Sequence, residues 1–146
     1  GSATFIQAMV ELPPMFGFAL LLKKFRVDTL MVFSAIAWCV KDILILVAPN
    51  MTVYYFAMVF QMFSYAIIIP ASVYFVDEYI ASEDRNQGQA IMSAAGTIGG
   101  LFASFIGGFL LSLLSVRTTL YVGIAVAVVG VLLMLIGVKK LKKSIK

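Results

Sequence analysis

Three side chains able to carry charge or strong hydrogen bonds stand inside otherwise apolar stretches of this chain: Glu11, Lys41 and Gln61. A carboxylate, an ammonium and an amide together can bind a hydroxyl-bearing solute, and the carboxylate can also exchange a proton. Spacing gathers further polar groups around each of them. Thr4, Gln7 and Glu11 fall at i, i+3 and i+7, which is one face of a helix. Ser34, Trp38 and Lys41 fall at i, i+4 and i+7 and join an aromatic plate to a cation, with Asp42 about 100° further round. Gln61, Ser64, Tyr65 and Ser72 form a third stripe, within which Pro70 is expected to interrupt the helix.

Other chemistries lack their parts. The sequence has no histidine and a single cysteine, Cys39. No intrachain disulfide, cysteine metal cluster, zinc site or imidazole-based triad can be assembled from it. The glycines between Gly96 and Gly108 lie within an apolar helical run rather than in a phosphate-binding loop. No enzyme, metal or cofactor is expected.

The elements that must position these groups follow from composition. Of 146 residues, 62% are hydrophobic and 12% charged, and the mean hydropathy is +1.05. Soluble domains carry about twice that share of charge. So few polar side chains cannot cover a water-facing surface, and the natural solvent is a lipid bilayer. The formal net charge of +4 does not form a solvated basic face, which argues against nucleic acid.

A helix needs roughly 20 apolar residues to cross the hydrocarbon core. Five such spans are expected, at about residues 3–22, 29–48, 53–76, 88–115 and 118–138, followed by a basic tail at 139–146. The fold class expected is all-α and integral to the membrane. The first run is not a cleaved signal peptide, since it lacks a basic leader and contains Glu11, Pro13 and Pro14. One side of the membrane collects Lys23, Lys24, Arg26, Arg85 and the tail lysines, and the other collects Arg117 alone. Counting positive charges therefore places the C-terminus in the cytoplasm and, with five spans, the N-terminus outside. A first span that begins almost at once, without a charged flank, suggests a fragment whose earlier helices are missing. With this orientation Glu11, Lys41 and Gln61 share one layer, about 10–12 Å below the outer edge. Intramembrane ionisable groups cost roughly 2.5–3.5 kcal/mol each at a helix centre and so tend to face partners or water.

The fourth span is of a different kind. Gly96, Gly100, Ser104 and Gly108 recur at every fourth residue, and so do Ala95, Gly99, Ala103 and Gly107. Such ladders let another helix approach closely. The last span holds no ionisable group, and its lysine tail suits anionic headgroups. Plain structural roles compete with the functional ones. Glu11 and Lys41 can serve as an ion pair between the first two helices, and Ser64 and Ser72 can back-bond to their own helices.

Four stretches resemble the major facilitator superfamily, and within it the proton-coupled branch of lactose permease and the nucleoside–proton symporters. Val10-Glu11-Leu12-Pro13-Pro14-Met15-Phe16, running on to Leu22-Lys23-Lys24-Phe25, resembles helix eight of that branch. Ala37-Trp38-Cys39-Val40-Lys41 resembles helix nine, and Gln61-Met62-Phe63 with Pro70 resembles helix ten. Glu83-Asp84-Arg85-Asn86-Gln87-Gly88-Gln89-Ala90, leading into the paired glycines, resembles helix eleven and is the most specific of the four. The resemblance implies helices eight to twelve of a twelve-helix transporter working by alternating access. It would give Glu11 the place of a sugar-binding carboxylate and Lys41 that of an arginine. Gln61 and Ser64 stand where the lactose permease pattern has a histidine and an acid, so that route of proton coupling is not matched.

The resulting expectation is part of a secondary transporter in the plasma (inner) membrane, moving a sugar, oligosaccharide or nucleoside with protons. Its partners would be the small polar solute, the proton, the bilayer and the remaining helices of the same protein. The candidate site comprises Glu11, Lys41, Trp38, Gln61, Gln7, Asp42 and Tyr65. Two alternatives differ in class: an efflux pump for apolar drugs, and a non-transporting membrane module that assembles through its glycine-rich helix.

Overall fold

A computed structural model describes the backbone of residues 2–144, with the side chains of 2–4, 6, 7, 10, 142 and 144 outside the described set. The described chain is all helix, without strands, as the composition requires. Its elements are α1 (Ser2–Phe16), α2 (Phe18–Lys24), α3 (Val27–Val47), α4 (Met51–Val59), a 3-10 turn (Phe60–Met62), α5 (Tyr65–Tyr79), α6 (Arg85–Leu113) and α7 (Val116–Ser144). Four helical stretches among the described residues are long and apolar enough to cross a membrane: Val27–Val47, Met51–Tyr79, Arg85–Leu113 and Val116–Leu141. The expected first span is divided into helices of 15 and 7 residues.

That division lies at Gly17. Pro13 and Pro14 bring no N–H to the ladder of α1. The Gly17 amide bonds back to the Pro13 carbonyl at 2.9 Å, and the Gly17 carbonyl accepts a short-range bond from Leu20 at 2.9 Å. The second expected break is displaced. α5 runs unbroken through Pro70, and the interruption lies upstream, in the 3-10 turn and at Ser64, whose φ and ψ are −98° and −84°. A proline ring presses on the carbonyl four residues before it, so its distortion is felt on its N-terminal side. The Ser64 hydroxyl donates to the Phe60 and Gln61 carbonyls at 3.3 and 3.4 Å, an internal repair that lipid demands of interrupted helices.

The tight turns carry the caps their sequences promise. Asn50 accepts from the Val53 amide at 3.0 Å at the start of α4, and Ser115 accepts from the Thr118 amide at 3.2 Å at the start of α7. α3 is the central element, packing along α5 and α7. The core joins Phe18 of α2, Val27, Leu30 and Met31 of α3, and Ile67 and Ala71 of α5. α1 lies against α4, the 3-10 turn and α5. α6 is anchored mainly at its start, where Gln89 Nε2 donates to the Val73 carbonyl at 3.0 Å, and it contains no buried residue.

The contacts also sort the basic residues by end. Asp28 and Thr29 at the start of α3 share a cleft with Val138 and Lys139 of α7. Arg26 and Arg85 both reach the end of α5, so the turn after α2, the start of α6 and the beginning of the tail lie at one end of the bundle.

Candidate functional site

Of five buried polar or charged residues among those described, Lys41 and Gln61 are the pair that bridges helices. Lys41 Nζ donates to Gln61 Oε1 at 2.8 Å, with the two residues 9% and 3% exposed. α3 brings the ammonium inward, and the 3-10 turn presents the Gln61 amide to it. The same ammonium lies 4.8 Å from the centroid of the Trp38 ring. Trp38 in turn meets Tyr65 edge-on, with ring centroids 6.1 Å apart at 65°. Cation, amide and two aromatic rings thus form one cluster, with Trp38 and Tyr65 partly open at its rim.

Glu11 approaches from α1, which packs against the 3-10 turn. It is half-buried. Yet the described ion pairs are Arg26–Asp28, Arg26–Glu78 and Arg85–Asp77, so Glu11 and Lys41 do not close to 4.0 Å. The expected single layer therefore holds Lys41 and Gln61 in direct contact, with Glu11 as an outlying carboxylate. The side chain of Gln7 lies outside the described residues.

The face drawn through Ser34, Trp38 and Lys41 divides in space. Ser34, Trp38 and Asp42 line a cavity of about 680 Å³ between α3, α6 and α7, whose other walls include Phe102, Ala103, Val126 and Met134. Lys41 points the other way, to Gln61. The spacing i, i+4, i+8 of residues 34, 38 and 42 is the signal that would have separated the two. Trp38 touches both environments, one through Lys41 and the other as a cavity wall. Ser34 donates to the Met31 carbonyl at 2.9 Å and Ser72 to the Ile69 carbonyl at 2.6 Å, so both spend their hydroxyl protons on their own helices.

The two ladders of the glycine-rich helix also part company. Gly99, Ala103 and Gly107 line the apolar cavity. Gly96, Gly100, Ser104 and Gly108 do not line it, although a Cβ built on any of the glycines of either ladder would meet nothing within 4 Å.

A second polar group lies at the end of the bundle that gathers the basic residues. Arg26 Nη2 donates to the Tyr79 hydroxyl at 3.0 Å, and its Nε donates to Asp28 Oδ1 at 3.2 Å. The Tyr79 hydroxyl first, and Asp28 next, hold the Arg26 guanidinium more firmly charged than usual. Asp28 sits in the first turn of α3, where a carboxylate complements the helix dipole. This network joins residues 53 positions apart and had no signature in the sequence. No group of three or more metal-ligating side chains occurs among the described residues.

A family model described as Major Facilitator Superfamily matches residues 2–146. Comparison with curated proteins and with solved structures gave no match.

Proposed function

The chain belongs to the major facilitator superfamily, whose members are transporters rather than enzymes, and from that premise we propose that it carries part of the solute path of a secondary transporter for a small polar solute. The observation that supports this reading most is the Lys41–Gln61 hydrogen bond at an interrupted helix, flanked by Trp38 and Tyr65, with Glu11 on the neighbouring α1. Interrupted helices free backbone and side-chain groups at membrane depth, where transporters of inverted-repeat design bind their substrates. In this reading Lys41, Gln61 and Gln7 hydrogen-bond hydroxyls, and the two aromatic rings stack on a sugar or base. Glu11 exchanges the proton, as a half-buried carboxylate on the helix packed against the 3-10 turn that carries Gln61. The remaining helices of a twelve-helix protein complete the path, and the C-terminal tail is cytoplasmic in the plasma (inner) membrane.

The test uses the protein carrying all its helices, reconstituted in vesicles and offered a panel of sugars, oligosaccharides and nucleosides. Solute-driven proton uptake should disappear in Glu11→Gln. Unchanged uptake would remove Glu11 from the mechanism. The 146-residue chain by itself should bind without transporting.

The apolar cavity favours a second reading. Asp42 and Trp38 set in apolar walls suit an amphipathic cation, as in an efflux pump for apolar drugs. Tetraphenylphosphonium quenching of Trp38 fluorescence that is lost in Asp42→Asn but kept in Glu11→Gln would select it.

A further inference from the structure

We infer that the turn between α2 and α3 is a binding site for one anionic phospholipid, with its headgroup on Lys23 and Lys24 and an acyl chain in the cleft beneath. Two adjoining cavities carry the inference. One, of about 520 Å³, has a charged rim, with Lys23, Lys24 and Arg26 from the α2–α3 turn and Asp77 and Glu78 from α5. The other, of about 600 Å³, is almost wholly apolar and runs between α1, α2, α3 and α5. Phe25 lines both, so the charged rim and the apolar cleft adjoin at a single side chain. That is the shape of a lipid: a charged end and a long apolar end joined at a neck.

Charge accounting decides the sign of the headgroup. Asp77 pairs with Arg85 at 3.8 Å and Glu78 with Arg26 at 4.0 Å, while Arg26 also holds Asp28. Lys23 and Lys24 are exposed and make no ion pair among the described residues. The Lys24 ammonium lies 5.7 Å from the Phe25 ring centroid, which keeps it over the neck. Two unmatched ammoniums at the end of a membrane helix attract anionic headgroups, each contributing about fivefold in affinity. A neutral lipid would fill the cleft without using them.

The chain purified in nonionic detergent, titrated with phosphatidylglycerol or phosphatidylcholine and read by native mass spectrometry, tests this directly. Phosphatidylglycerol is expected to bind at least about tenfold more tightly. Lys23→Ser with Lys24→Ser should remove the preference, whereas Lys139→Ser with Lys140→Ser in the tail should leave it intact. Leu20→Trp, a change at an exposed wall of the apolar cleft, should weaken phosphatidylglycerol binding about tenfold without altering charge. Glycerol 3-phosphate alone should not bind, because the headgroup without its chain leaves the cleft unfilled. Equal affinity for the two lipids overturns the site, as does a preference that survives the paired lysine changes. So does a protein with all its helices that retains no phosphatidylglycerol, because a protein segment would then occupy the cleft.

Discussion

α3 and α6 have similar apolar character but opposite surroundings. Both are apolar enough to cross a membrane, yet about a third of the most apolar stretch of α3 is buried and none of that of α6 is. In water such a difference would be untenable, because an exposed apolar helix would be driven against its neighbours. In lipid the tails are as apolar as leucine, so hydropathy does not pull helices together, and specific contacts decide which of them pack. α3 has those contacts: Lys41 to Gln61, the Arg26–Asp28–Tyr79 network at its start, and tight apolar packing on α5. α6 has its polar tethers to α5, from Arg85 and Gln89, only near its start, and a face of small residues with nothing against it. Polar bonds, rather than apolar surface, separate the inside of this bundle from its outside.

That distinction can be broken at four places, taken from the largest expected effect downward. Gln61→Leu strands the buried Lys41 ammonium and should cost about 3 kcal/mol. Denaturation in mixed micelles, followed by the fluorescence of the lone tryptophan, measures it. Adding Lys41→Met should recover most of the loss, since an apolar pair can replace a polar one. A Gln61→Leu cost below about 0.5 kcal/mol would mean that the cluster does not hold α3 and the 3-10 turn together.

Arg26→Ala comes next, at about 1–2 kcal/mol, because Asp28 is 1% exposed while the guanidinium is largely in solvent. Its effect should be less than additive with Tyr79→Phe, as a shared hydrogen bond requires. Full additivity in a double-mutant cycle would show that the Arg26–Tyr79 contact contributes nothing.

The last two predictions concern α6 alone. A Cβ at Gly88 would lie 2.6 Å from Ile80 Cδ1 and 3.0 Å from Val76 Cγ1. Gly88→Ala should therefore cost about 1 kcal/mol by overpacking. Gly100→Leu meets open space and should change the unfolding of this chain by less than about 0.5 kcal/mol. A larger loss would show that the stripe is already covered, for example by a second copy.

Much of this was legible in the sequence. The apolar runs overlap α3, α6, α7 and the combined α4–α5 stretch, because lipid imposes a length on any spanning helix. The Lys41–Gln61 contact was legible as a shared depth in two helices. Its angular partners were not, since depth fixes height but not azimuth, and Asp42 proved to face the second cavity. The break in the third span was assigned to Pro70 because proline is the visible signal. The backbone parts instead at residues 60–64, where Ser64 can satisfy the loosened carbonyls. The Arg26–Tyr79 bond needs the α2–α3 turn to meet the end of α5, which only tertiary packing supplies.

The two interruptions have a joint consequence. Gly17, Met62 and Phe63 line the same cleft, so the discontinuities of the first and third segments lie side by side. α3 passes them unbroken. α1 leans on α4, on the 3-10 turn and on α5 alike, while α2, the start of α3 and α5 share the packed core. Gln61 sits at one of the two interruptions, so its bond to Lys41 ties a broken segment to the unbroken helix that passes it.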